Sequence, residues 1–100
     1  PVISKIKLRI LKELEKEPLH GYALSKKLKV SVSSIYAHLY ELEKNGFIAS
    51  SESDRRKVYR LTEKGKALLE LLQNNFFYST LIAFQDDVNS FINLTEVFYV

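Results

Sequence analysis

The spacing of apolar residues changes along this chain from three or four residues to two and back again, and this change limits the folds open to it. An interval of three or four residues predicts a helix that buries one face, whereas strict alternation predicts a strand. The patterns follow the order helix, helix, helix, hairpin, helix. In 100 residues they describe one small domain with a single modest core.

Two helices are predicted before residue 30. The first is indicated by apolar residues at three- and four-residue intervals: Ile3, Ile6, Ile10, Leu11 and Leu14. It ends before Pro18, because the residue that precedes a proline is pushed away from the helical region. A short second helix follows in PLHGYALSKKLKV, where Tyr22, Leu24 and Leu28 are available to pack.

The third helix is predicted in SVSSIYAHLYELEKNG. Ser31 or Ser33 can cap its start, since a serine side chain accepts a hydrogen bond from the first turn. Gly46 supplies the left-handed residue that ends it. Its inward stripe is Ile35, Leu39 and Leu42. Its outward face is mostly short or aromatic: Ser33, Ser34, Tyr36, Ala37, Tyr40 and Lys44.

A hairpin is predicted next. Phe47 and Ile48 begin its first strand, and alternation in KVYRL directs Tyr59 and Leu61 inward. The polar stretch SESDRR is predicted to form the loop between the strands. Three consecutive cations therefore lie at the tip: Arg55, Arg56 and Lys57. Taken alone, they also fit a solubilising tip that discourages edge pairing.

Thr62 is predicted to cap a last, long helical region with two apolar faces. Leu68, Leu71 and Leu72 cluster on the face that covers the domain. The second stripe points the opposite way and comprises Phe77, Leu81, Phe84, Val88 and Phe91. A monomer core could use this stripe, but it would otherwise form an exposed apolar patch. Its four-three spacing favours a homodimer seam.

The charges divide the chain in the same place. Residues 1–66 hold all 15 Lys and Arg against 8 Asp and Glu, and residues 67–100 hold four acids and no cation. The basic part is expected to meet an anionic partner. We therefore predict a DNA-binding domain over residues 1–66 and a helical dimerisation region over residues 67–100.

The composition narrows the class of protein further. Cys is 0, which rules out disulfides and thiolate metal sites and favours a cytoplasmic protein. The run FFYSTLIAF is far shorter than the roughly 20 apolar residues of a membrane span, and no leader pattern opens the sequence. With two histidines and no nucleophile elbow, phosphate loop or carboxylate pair, neither a metal, a cofactor nor an enzyme is expected.

Three runs, LHGYALSKKL, SSIYAHLYELEKNGFI and RRKVYRLTEKG, resemble the PadR-like family of winged-helix transcriptional regulators. The resemblance spans about residues 11–66. It implies a DNA-binding dimer with Tyr36 and the outward face of the third helix at the groove and the three tip cations on the wing. It also implies that His20 has a structural role at the start of the second helix.

The expected fold is therefore mainly α with a small β-hairpin, a winged helix-turn-helix followed by a long C-terminal dimerisation helix. The expected function is transcriptional regulation by a homodimer that binds double-stranded DNA at an inverted repeat. The alternative is a winged-helix module that binds protein without reading DNA. It is favoured by the shortage of Arg on the third helix and by the presence there of Glu41.

Overall fold

The computed structural model describes residues 4–73, in which four helices and a three-stranded antiparallel sheet form a winged helix. The helices are α1 (Lys5–Lys16), α2 (Gly21–Leu28), α3 (Val32–Lys44) and α4 (Glu63–Gln73). The strands are β1 (Leu19–His20), β2 (Ile48–Ser53) and β3 (Arg56–Leu61). The sheet order is β1-β3-β2, so β3 is central.

One apolar core joins all four helices to the sheet. Its largest fully buried side chains come from the four helices, from the first residue of β2 and from the residue before it: Ile10, Leu11, Leu24, Ile35, Leu39, Leu42, Phe47, Ile48 and Leu69. The inward stripe predicted for the third helix is confirmed. Tyr59 and Leu61 are also buried, as alternation in KVYRL predicted.

The inward face of α4 differs from the prediction by one position. Leu69 is fully buried and Leu71 only half-buried, although the prediction placed Leu71 inward with Leu68 and Leu72. Gly65 explains the difference, because a Cβ there would collide with the carbonyl oxygen of Phe47. This close approach fixes the rotation of α4, so positions three, four and seven residues after Gly65 face the core.

Hydrogen bonds of Thr62 connect the start of α4 to the turn that follows α3. Its Oγ1 donates to the Gly46 carbonyl at 2.6 Å and accepts from the Gly65 N–H at 3.0 Å. The Thr62 N–H in turn donates to the Phe47 carbonyl at 3.2 Å. The predicted cap at Thr62 is therefore present, and it also binds a turn that is distant in sequence.

The turn between α2 and α3 sets the angle of the third helix. Lys29 adopts the left-handed conformation with φ 57°, and the Ser25 hydroxyl donates to the Val30 carbonyl at 2.6 Å. Ser31, rather than Ser33, caps α3 by accepting from the Ser34 N–H at 3.3 Å. These bonds hold α3 in a fixed position against α2.

The sheet has one strand more than the predicted hairpin. Leu19 and His20 pair with Tyr59 and Val58 of β3, in a stretch that was predicted to lead into the second helix. Two residues are too short to show any periodicity, and their partners lie far away in sequence. Only the folded chain could therefore reveal this strand.

The hairpin turn is shorter than predicted. The sequence placed all of SESDRR in the loop, but β2 continues to Ser53 and β3 begins at Arg56. Asp54 and Arg55 alone form the turn, with φ of 52° and 65°, as in the type I′ turns that match the twist of a hairpin. The outer part of the hairpin is exposed, so polar residues occupy its strands. In the sequence such a polar stretch has the composition of a loop.

The described residues end at Gln73, within the region predicted as the dimerisation helix. Its second apolar stripe lies outside them: Phe77, Leu81, Phe84, Val88 and Phe91.

Candidate nucleic-acid interface

The outward face of α3 is accessible over most of its length. Ser33, Tyr36, Ala37, Tyr40 and Lys44 are exposed, and Ser34 is half-buried. On the other face Ile35, Leu39 and Leu42 have no exposed area. The six predicted contact residues are therefore placed on the surface, where α3 is supported from behind by the core.

The three predicted wing cations are all exposed. Arg55 lies in the two-residue turn, and Arg56 and Lys57 begin β3. Lys57 faces Glu52 across the hairpin. The wing, defined here as Ser51–Lys57, is thus a narrow two-stranded ribbon with its cations at the tip and on one strand.

A groove of about 340 Å³ lies between α3 and the wing. It is lined by side chains from β1, α2, α3, the turn and β3: His20, Tyr22, Tyr36, Arg55, Arg56 and Lys57. The fold therefore brings one predicted α3 residue, Tyr36, together with all three wing cations. The other five predicted α3 residues lie outside this groove.

Tyr36 is held in place from two sides. A Cβ at Gly21 would lie 2.6 Å from the Tyr36 Cζ and 2.7 Å from its hydroxyl oxygen, so the ring occupies the space that glycine leaves free. On the other side the ring packs edge-on against Tyr59, with 6.5 Å between centroids. Tyr36 nevertheless keeps 42% of its surface exposed. Its ring is held in place while part of the side chain stays accessible in the groove.

His20 fastens the wing to the helical part of the domain. Its Nδ1 lies 3.1 Å from the carbonyl oxygen of Lys57, next to the backbone pairing of His20 with Val58. Since a carbonyl can only accept, Nδ1 is the donor. This bond agrees with the structural role that the family resemblance implied for His20.

Two exposed tyrosines of residues 4–73, Tyr22 and Tyr40, each have a lysine four residues later in their helix. Lys44 Nζ lies 5.7 Å from the ring centroid of Tyr40, and Lys26 Nζ lies 5.0 Å from that of Tyr22. These are cation–π distances. Both pairs present an ammonium group beside an aromatic face, a combination suited to sugar-phosphate surfaces.

A family comparison identifies the chain. The model of the transcriptional regulator PadR-like family matches residues 10–71, which include α2, α3 and the wing. The chain belongs to the PadR-like family. It is therefore a DNA-binding transcriptional regulator, as the resemblance in the sequence implied.

Solved structures of other regulators share this fold. BldR, a transcriptional regulator from Sulfolobus solfataricus, is 26% identical with a TM-score of 0.67, over 94% of this chain and 69% of BldR. The transcriptional regulator HlyU from Vibrio vulnificus CMCP6 is 30% identical with a TM-score of 0.60, over 70% of this chain and 74% of HlyU. HlyU from Vibrio cholerae N16961 is 28% identical with a TM-score of 0.64, over 73% of this chain and 80% of HlyU. No curated protein sequence matches the chain significantly.

Sequence reasoning missed one groove residue of this PadR-like regulator and assigned another only a structural role. Tyr22 was expected to pack, but it is 58% exposed and lines the groove. The helical periodicity of the sequence could have shown that Tyr22 is exposed, because Tyr22 lies off the buried stripe of Gly21, Leu24 and Leu28. His20 carries no comparable signal, since its position depends on the pairing of β1 with β3.

An ion pair supports α3 on the side away from the groove. Lys7 Nζ, which is buried, lies 2.9 Å from the Glu41 carboxylate. This hydrogen bond is the main cause that lowers the pKa of Glu41. Burial, and then the charge of Lys7, lower the pKa of His38. Glu41 thus links α3 to α1.

Two contacts join α3 to the sheet, one a hydrogen bond and the other between aromatic rings. The Ser50 hydroxyl donates to the Glu43 carboxylate at 2.6 Å, which connects β2 to α3. Burial raises the pKa of the Tyr59 hydroxyl, against whose ring Tyr36 packs. The third helix is therefore braced by α1, the sheet and Gly21 at separate points.

Residues 4–73 contain no group of three or more His, Asp or Glu that could hold a metal ion. Within the same residues no helix combines the length and apolar character needed to cross a membrane.

Proposed function

We propose that this PadR-like regulator binds double-stranded DNA sequence-selectively as a homodimer, with α3 in the major groove and the wing on phosphates. The observation that supports this most is the groove that Tyr36 shares with Arg55, Arg56 and Lys57. A single duplex can touch both sides of such a groove. Such a regulator would act in the cytoplasm, where it meets the genome.

The outward face of α3 has the shape that close approach to base edges requires. Ser33 and Ala37 are short and exposed, so the helix can enter the major groove, about 12 Å wide, without a steric barrier. Tyr36, Tyr40 and Lys44 are long enough to reach bases or phosphates beside it. Direct base selection would come from these residues, because base edges in the grooves carry sequence information that phosphates do not.

The wing would contribute affinity rather than selectivity. Three exposed cations on a projecting ribbon can each neutralise a phosphate and release a counterion. The salt dependence of binding should therefore contain a wing contribution of up to about 0.9 per phosphate contacted.

The test is a duplex titration over a range of salt concentrations. Replacing Arg55, Arg56 and Lys57 together by Ala should weaken binding to every duplex and reduce the log–log salt slope by about 2 to 3. Exposed lysines outside the groove provide the matched control, the triple Ala variant at Lys5, Lys12 and Lys66. Equal affinity of wild type and wing variant at all salt concentrations would refute the wing assignment.

The same titration separates this function from the alternative. If the wild type does not retard random duplex DNA at low salt, a protein-binding module is favoured instead. Glu41, which was an argument for that alternative, forms the ion pair with Lys7. Its presence on α3 therefore has an explanation within the domain.

For the assembly we propose that residues 1–66 bind DNA and that residues 67–100 pair two copies. The seam would be the stripe from Phe77 to Phe91, as the four-three spacing indicates. Two-fold symmetry would place the two α3 helices about one turn of DNA apart. The expected target is consequently a short inverted repeat.

A further inference from the structure

The hydrogen bond of His20 determines which of its ring nitrogens carries a proton in the free protein. Its Nδ1 lies 3.1 Å from the Lys57 carbonyl oxygen. Because that oxygen has no proton to give, Nδ1 must carry one. In a neutral imidazole the other nitrogen, Nε2, then carries no proton and can only accept a hydrogen bond. The hydrogen bond to the wing thus selects one tautomer.

The same ring borders the groove between α3 and the wing. The titratable or charged side chains that line it with His20 come from α2, α3, the turn and β3: Tyr22, Tyr36, Arg55, Arg56 and Lys57. Three of them are cations, and no carboxylate is found among the residues that line this groove in the described part of the chain. Such surroundings suit an anion with several acceptor oxygens, such as a phosphodiester.

We propose that His20 contacts a DNA phosphate and that the ring takes up one proton when the phosphate enters the groove. This inference rests on the proposed DNA-binding function. A phosphodiester oxygen only accepts, so it cannot bond to a bare Nε2. Protonation gives the ring two donors, Nδ1–H for the Lys57 carbonyl and Nε2–H for the phosphate. The second bond is charge-assisted and therefore among the stronger kinds.

Proton uptake on binding makes DNA affinity depend on pH. By linkage, a complex that holds one more proton than the free protein is favoured as pH falls. Histidine is the side chain that ordinarily changes charge between pH 5 and 8, and the chain has two. His20 lines the groove, whereas His38 lies half-buried near Lys7 and Glu41. The two histidines therefore provide a test and its control.

The experiment measures the affinity of the full chain for random duplex DNA between about pH 6 and pH 8. The wild type should bind roughly three- to tenfold more tightly at the lower pH, and its salt slope should become steeper by about 0.9, one further phosphate contact. His20→Asn keeps an N–H donor for the Lys57 carbonyl but cannot titrate, so its affinity should be nearly flat with pH. His38→Gln should keep the wild-type dependence.

Two results would overturn the inference while leaving DNA binding intact: wild-type affinity that is independent of pH, or the same pH dependence in His20→Asn as in the wild type. A nitrogen-detected NMR spectrum adds a readout that does not involve DNA. It should show the proton of neutral His20 on Nδ1, and a proton on Nε2 would overturn the tautomer assignment. Absence of duplex binding at every pH would refute the proposed function, and this inference with it.

Discussion

The ring of Tyr36 fills the space beside Gly21, where a Cβ would come within 2.6 Å of the Tyr36 Cζ. The glycine of the His-Gly-Tyr run thus leaves room for a contact between α2 and α3. Tyr36 reaches the groove because this contact and the Tyr59 ring hold it there.

Gly21→Ala should destabilise the domain by about 1–3 kcal/mol, the usual cost of an overpacked contact. The loss is expected even though Ala is favoured over Gly in a helix by roughly 1 kcal/mol. It should also weaken DNA binding, because the displaced ring leaves the groove. Urea denaturation and a duplex titration measure the two effects.

The control for Gly21→Ala is a double-mutant cycle. In a Tyr36→Ala background the colliding ring is gone, so Gly21→Ala should cost little or even stabilise. An equal loss in both backgrounds would show that Gly21 acts through its backbone and not through Tyr36.

Arg55→Gly should separate stability from binding. Arg55 has φ 65°, a left-handed conformation that costs an L-residue about 1–2 kcal/mol and glycine almost nothing. The free energy of unfolding should therefore stay level or rise by up to about 1 kcal/mol. DNA affinity should fall, with a salt slope smaller by about 0.9. Arg55→Lys keeps the charge and should retain most of the affinity; unchanged binding by Arg55→Gly would remove Arg55 from the interface.

The stability of the domain should decrease as pH falls below neutrality, through His38. Burial and Lys7 hold the pKa of His38 below its ordinary value of 6.5, so the unfolded chain binds a proton more readily than the folded one. The stabilisation is present above about pH 6.5 and is lost as pH falls through the pKa of the folded state. His38→Gln should flatten urea unfolding free energies between about pH 7.5 and 5.5. If the unfolding free energy of His38→Gln depends on pH as strongly as that of the wild type, His38 is not the source of the pH dependence.

Phe84→Asp should convert dimers to monomers in sedimentation. Phe84 is central in the proposed seam, and a buried carboxylate beside an apolar partner is strongly unfavourable. A weakening of the dimer by at least tenfold is expected, since buried aromatic anchors contribute about 2 kcal/mol or more. Gln85→Asp adds the same charge at the neighbouring position, off the stripe, and should leave the dimer intact. A dimer that survives Phe84→Asp would contradict this seam.

The sequence by itself determined the order of the four helices and the hairpin, and most inward faces. Ile35 and Leu39 lie inward because helical spacing is local, and Tyr59 and Leu61 do so because strand alternation is local. The PadR-like family could also be identified from three runs of residues. Each of these features depends on neighbours a few residues apart, so the chain alone contains them.

The tertiary structure decided the features that depend on contacts between residues distant in sequence. Leu19 and His20 form a strand only because β3 lies beside them, and Leu69 replaces Leu71 inward only because Gly65 meets the Phe47 carbonyl. The groove between α3 and the wing is another such feature, since its walls come from five separate parts of the chain. Sequence patterns place residues on faces, but only packing decides which faces meet.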